Sequence, residues 1–145
     1  MKIMAVDYGD VRTGLAVCDR TEFLASPIGT IEERSAQVLA MKIAHMAKQY
    51  EVGEIVVGLP VNMNGSFGPR AEKCRNFADI LNELTEVPVN MWDERSTTVT
   101  AHQILNQTNV RGKNRKAVVD TVAAVVILEG YLCLLYTSDA ADDLI

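Results

Sequence analysis

The chain is predicted to fold as an α/β domain on a five-stranded mixed sheet, a three-strand antiparallel meander extended by two parallel strands, with helices on both faces. Three short extended segments open the chain, joined by connections too brief for a helical crossover. From Ser35 onward, stripes of helical period alternate with short apolar runs, the signature of parallel strands linked through helices. With 145 residues, 48% of them hydrophobic, the chain can bury one core between layers and needs no second domain.

The meander comprises residues 2 to 7, 13 to 19 and about 23 to 31, and Pro27 places the third strand at an edge because it cannot donate to a ladder on both sides. From Ser35, the residues Leu39, Ile43, Met46, Ala47 and Tyr50 form one apolar helical face, and Gly53 is expected to stop the helix. The run Ile55-Val56-Val57 within Glu54 to Leu59 reads as a central strand buried on both sides, closed by Pro60. An Asn- and Gly-rich loop, Val61 to Gly68, then leads to Pro69 at a first helical position, with Cys74, Phe77, Ala78, Leu81 and Leu84 as the stripe behind it. Val87 to Trp92 is the next strand and Asp93 to Arg95 its polar exit. Ser96 or Thr97 would cap a helix reaching about Gln107. After a basic loop at residues 109 to 116, Ala117 to Leu132 is long enough, and rich enough in alanine, to be a buried helix despite its valines. The first strand is therefore central, with the fourth parallel beside it.

The formal charge is −5, from 14 basic and 19 acidic residues, which argues against coating nucleic acid by bulk charge but leaves room for a local basic patch. Cys18, Cys74 and Cys133 are odd in number and widely spaced, matching neither a zinc site nor a disulfide framework, so a reducing compartment is expected. Only four apolar residues follow Lys2 before Asp7, and no run approaches the roughly 18 to 20 residues of a membrane span. A cytoplasmic location follows as the expectation.

Asp7 ends a buried strand, where a carboxylate loses hydration and needs a compensating partner. Glu94, just past the fifth strand, and Asp120, near the start of the last helix, are the two other acids that a fold of this order would gather near it. Each has a plain structural alternative: Asp7 as a turn acid, Glu94 as a solvated helix-entry residue, Asp120 as a first-turn acid favoured by the helix dipole. Carboxylates on strands separated by one neighbour stand roughly 10 Å apart at the backbone. A long Glu narrows that gap, and a shared hard cation such as magnesium or manganese would bridge the oxygens.

The motifs Asp7-Tyr8-Gly9 with Arg12 and Gly14, Val57-Gly58-Leu59-Pro60 with Asn62 and Gly65, Gly68-Pro69-Arg70-Ala71, Asp93-Glu94-Arg95 with Thr97 and Thr98, and Val119-Asp120 together resemble the YqgF/RuvX family. Its members are RNase H-like nucleases described as Holliday-junction resolvases and as nucleases that mature the 5′ end of pre-16S ribosomal RNA. The resemblance spans residues 1 to about 132. It implies an RNase H-like fold and Mg2+- or Mn2+-dependent phosphodiester cleavage, with Asp7, Glu94 and Asp120 as the catalytic and metal-binding carboxylates. Related resolvases place their second acid on the fourth strand, where this chain has Gly58 and Leu59. Glu94 is favoured in that role for its reach, and Asp93 is the alternative.

Arg12, Arg70 and Arg95 stand in turns or at element ends, where a guanidinium can hold phosphate oxygens through paired hydrogen bonds. Asn62, with Asn64, Gly65 and Ser66, could offer amides to a phosphate, although such a cluster is ordinarily a turn. Lys113, Arg115 and Lys116, with Arg111, would draw a strand toward Asp120 by electrostatics. His45 and His102 have no metal-spaced partners, and Trp92 reads as a packing residue. Residues 133 to 145 add three acids, no base and no family motif, and are expected to be a disordered tail foreign to the domain 1 to 132.

The leading expectation is a nuclease acting on precursor ribosomal RNA or branched DNA, as a monomer or homodimer, with ribosomal particles as further partners. A noncatalytic nucleic-acid-binding module is the alternative from another class, opposed by the presence of all three acids. An acidic strand end followed by Gly and Thr or Gly also resembles the phosphate-binding turn of actin-like sugar kinases and ATPases, but those need two such domains around the nucleotide.

Overall fold

The computed structural model describes residues 1–19, 24–62, 64–93 and 122–133. Its strands are β1 (Ile3–Asp7), β2 (Arg12–Cys18), β3 (Ala25–Glu32), β4 (Glu54–Leu59) and β5 (Val89–Asp93). Its helices are α1 (Ala36–Gln49), α2 (Pro69–Leu84) and α3 over residues 122–133. The strands lie in the order β3-β2-β1-β4-β5. β1 is antiparallel to β2 and parallel to β4, β2 is antiparallel to β3, and β4 is parallel to β5. The expected mixed sheet, its central first strand and the edge position of the Pro27 strand are all present.

Alternation along the central strands builds two cores. Met4, Val6, Leu15, Ile55 and Val57 meet Leu39 and Ile43 of α1 and Phe77 and Leu81 of α2 on one face. Ile3, Ala5, Ala16, Cys18 and Val56 meet Ala124, Ile127, Leu128 and Leu132 of α3 on the other. The strand side of the second face is paved partly by small side chains, Ala5, Ala16 and Cys18. Packing decides the conformation of the Val-rich terminal segment: a helix places Ile127 and Leu128 together over the sheet.

Local chemistry sets the element boundaries. Ser35 caps α1 by accepting from the Val38 N–H at 3.3 Å, whereas α2 begins at Pro69 behind Gly68, which supplies no side-chain cap. α1 stops four residues before Gly53. Glu51 takes the left-handed conformation (φ 57°), and the N–H groups of Glu51 and Val52 donate to Lys48 O at 3.1 Å and Ala47 O at 2.9 Å. This is a Schellman ending with a non-glycine residue at its pivot. Gly53 instead donates to Lys2 O at 2.8 Å, next to the Met1 side chain, tying the start of β4 to the start of β1. β5 begins later than expected, because Pro88 offers no N–H and enters only through its carbonyl, which accepts from Ile55 N at 2.9 Å. Asp93, expected in the polar exit, is the last β5 residue, opposite Leu59. Leu84 ends α2 exposed rather than buried.

Candidate nucleic-acid interface and carboxylate site

Asp7 stands at the carboxyl end of the central strand, partly buried. Its ladder partner on β2 is Gly14. One step beyond the Val6–Val57 pair, its neighbour on β4 is Gly58. Continued to both edges, the row reads Thr30, Gly14, Asp7, Gly58, Trp92. Glycine therefore stands beside the carboxylate on both adjoining strands, so neither ladder neighbour contributes a side chain at that level. Sequence reasoning noted Gly14 and Gly58 as motif residues; their placement on either side of Asp7 comes from the register.

Strand alternation assigns faces. Asp7 shares parity with Ile3 and Ala5, which pack toward α3, and Trp92 lies on that same face. Asp93 shares parity with Met91, which packs toward α1 and α2. The runner-up acid thus sits on the opposite side of the sheet from Asp7. Arg12 shares the parity of Gly14 and Ala16 and so lies on the Asp7 face, two residues along β2. Glu94, Arg95, Lys113, Arg115, Lys116 and Asp120 fall outside the described residues. Among the described residues no group of three or more His, Cys, Asp or Glu side chains is placed to hold a metal ion.

The turn carrying Asp7 into β2 is held from both sides. The Gly9 N–H donates to the Thr13 hydroxyl at 3.2 Å, and that hydroxyl lies 3.4 Å from the Gly9 carbonyl it donates to, which satisfies the fully buried Thr13. From α2, Arg70 donates through Nη2 to the Tyr8 carbonyl and through Nη1 to Asp10 Oδ1 at 3.0 Å. Its guanidinium carbon lies 5.2 Å from the Tyr8 ring centroid, and Tyr8 stacks on Phe77 at 4.4 Å with the rings 6° apart. Lys73 reaches the same Asp10 oxygen at 3.4 Å. The Arg70 charge, then its hydrogen bond, hold the Asp10 carboxyl below the usual carboxylate range, with Lys73 adding to the effect. Sequence reasoning named Arg70 but missed Asp10, Tyr8 and Lys73. The three-residue spacing from Arg70 to Lys73, which sets both on one side of a helix, was the available signal.

Asn62 is engaged within its own turn. Its N–H donates to Ser66 O at 2.9 Å, its carbonyl accepts from Gly65 N at 2.8 Å, and its side-chain amide donates to the Ser66 hydroxyl at 3.1 Å. Asn64 Oδ1 accepts from both the N–H and the hydroxyl of Ser66. Gly65 has φ 87°, which completes a turn bridged by Val61 and Phe67. The segment is thus a self-satisfied turn directly before α2. None of the cysteines is in a disulfide; Cys18 and Cys74 are buried and Cys133 is exposed. Among the described residues no helix is long and apolar enough to cross a membrane.

Comparison with known proteins adds an independent line. A family model described as RuvX, Holliday junction resolvase, matches residues 1–133. A protein of Halothermothrix orenii named "Putative pre-16S rRNA nuclease" is 46% identical over 132 residues, covering 91% of this chain and 94% of the relative. A protein of the same name from Bacillus thuringiensis is 45% identical over 134 residues, covering 91% and 98%. Among solved structures, the Fowlpox virus resolvase with Holliday junction DNA aligns at TM-score 0.59 and 13% identity, covering 93% of this chain and 99% of that one. The T. thermophilus RuvC in complex with a Holliday junction aligns at TM-score 0.52 and 11% identity, covering 87% and 93%. At such identities these structures speak to the fold, which is that of the RNase H-like resolvases.

Proposed function

The chain belongs to the RuvX family, and from that premise we propose that it is a metal-dependent nuclease that hydrolyses phosphodiester bonds in precursor 16S ribosomal RNA, maturing its 5′ end. The observation that carries the reading is Asp7, a carboxylate at the end of the central strand with glycine on both neighbouring strands. An all-oxygen donor set of this kind suits Mg2+ or Mn2+. Asp7, Glu94 and Asp120 are the residues assigned to hold the ion. The opposite parity of Asp93 favours Glu94 over it. When bound, the ion supplies charge to a phosphoryl oxygen and lowers the pKa of a coordinated water.

The remaining residues bind and orient the substrate. Arg12, on the Asp7 face, is assigned to a phosphate oxygen, and Arg70 fixes the turn that follows Asp7. Arg95 and the basic segment with Lys113, Arg115 and Lys116 are assigned to the nucleic-acid backbone, where they would steer the strand at low salt. Asn62 shapes the loop before α2. The names of the 45–46% identical relatives support ribosomal RNA as the substrate. The description of the family model supports a second reading, cleavage of branched DNA.

The test offers the purified protein a pre-16S fragment and a four-way DNA junction side by side, with magnesium, with manganese and with EDTA. Cleavage of the RNA that requires the metal is expected. Asp7→Asn should lower it by roughly 10²- to 10³-fold or more while nucleic-acid binding persists. Junction cleavage alone would favour the second reading, and undiminished cleavage by Asp7→Asn would refute the carboxylate assignment.

A further inference from the structure

We propose, building on the nuclease reading, that Arg70 and Lys73 form a clamp for a backbone phosphate of the bound nucleic acid, and that the Asp10 carboxylate occupies this clamp in the free protein. Two cations three residues apart on α2 converge on one carboxylate oxygen, at 3.0 Å and 3.4 Å, across 60 and 63 residues of chain. An anion is therefore already bound there, and it belongs to the turn that follows Asp7. Its grip is weak: the side chains of Asp10, Arg70 and Lys73 are 58%, 39% and 57% exposed, and ion pairs in open solvent contribute little. A phosphodiester offers the same acceptor geometry to a guanidinium as a carboxylate does.

The two cations are held differently. Arg70 is fixed from behind by the Tyr8 carbonyl on Nη2 and by the Tyr8 ring, which itself rests on Phe77, so Nη1 faces Asp10 as a preorganised donor. Lys73 is a flexible point charge that can follow whichever anion is present. Asp10 thus acts as an internal competitor. A strand entering this side of the site must displace it, and the apparent affinity is reduced by the fraction of molecules in which Asp10 is seated.

The test measures binding of a fluorescent pre-16S fragment in EDTA by the wild type, Asp10→Asn, Lys73→Ala, the Asp10→Asn/Lys73→Ala double variant, and Glu72→Gln. The last removes a nearby α2 acid that pairs instead with Arg75. Removing the competitor should tighten binding about three- to tenfold, whereas Glu72→Gln should change it less than about twofold. Lys73→Ala should weaken binding and lower the salt slope by about one, and in that background Asp10→Asn should gain less than half as much. Unfolding cannot mimic a gain in affinity. Binding by Asp10→Asn no tighter than the wild type, an equal gain in Glu72→Gln, or the same gain without Lys73 would each overturn the clamp. If the wild type still cleaves in magnesium under any of those results, the nuclease reading stands alone. The expected affinities with no cleavage in any divalent ion would retain the clamp and remove the nuclease.

Discussion

Gly9 is the residue at which the turn between β1 and β2 admits no side chain. A Cβ built there would fall well inside the contact distance of the Arg12 carbonyl oxygen, and that neighbour is backbone, which cannot swing away. The close approach follows from the turn itself, because Gly9 must bring both its N–H and its carbonyl to the Thr13 hydroxyl. Gly9→Ala is therefore expected to cost about 3 kcal/mol, read as a lower midpoint in urea with an unchanged slope. Because the same turn sets the end of β1, cleavage by the folded variant should fall as well. A change below about 0.5 kcal/mol would mean that the turn relaxes and that the close approach is dispensable.

At the scale of the element, the end of α1 carries a correctable strain. Glu51 pivots the Schellman ending at φ 57°, a conformation in which a Cβ costs roughly 1–2 kcal/mol and glycine nothing. Glu51→Gly should raise stability by up to about 1 kcal/mol, after the extra freedom gained by the unfolded chain is subtracted, seen as a higher Tm with the fold unchanged. No increase would mean that the interactions of the Glu51 side chain offset the backbone strain. The sequence reader expects Gly53 to end this helix, because glycine is the usual pivot; Gly53 is instead used two residues later, where β4 meets the N-terminus. Elements governed by local signals were legible: the helical pattern starting at Ser35, Pro69 as a first helical residue, and β4 as a doubly buried run. The carboxylate at the end of β1 was legible too, because an acid closing an apolar strand is costly unless it has a purpose. The bond from Arg70 to Asp10 was not, since it joins residues 60 apart that meet only once the sheet order has brought α2 beside the first turn. The face on which Asp93 lies was hidden for another reason: the strand is expected to end at Trp92, and only the pairing of Asp93 with Leu59 carries the alternation on to it.

For the whole molecule, β1 and β4 each contribute to both cores, with Val6 and Val57 on one side and Ala5 and Val56 on the other. Loss of packing on one face should then be felt on the opposite face through strands that cannot be half folded. Trp92, the sole tryptophan of the chain, reports on the α3 face, where it stacks with Tyr131 at 6.2 Å between ring centres. Ile43, on α1, is fully buried in the other core. Ile43→Ala should therefore destabilise the protein by about 2–5 kcal/mol. The Trp92 fluorescence transition and the far-UV circular dichroism transition should move together to the same lower denaturant concentration. A fluorescence midpoint that stays in place while the dichroism midpoint falls would mean that the two faces unfold as separate units. The rigidity that the shared strands lend to the end of β1, and with it to Asp7, would then have to come from the α3 side alone.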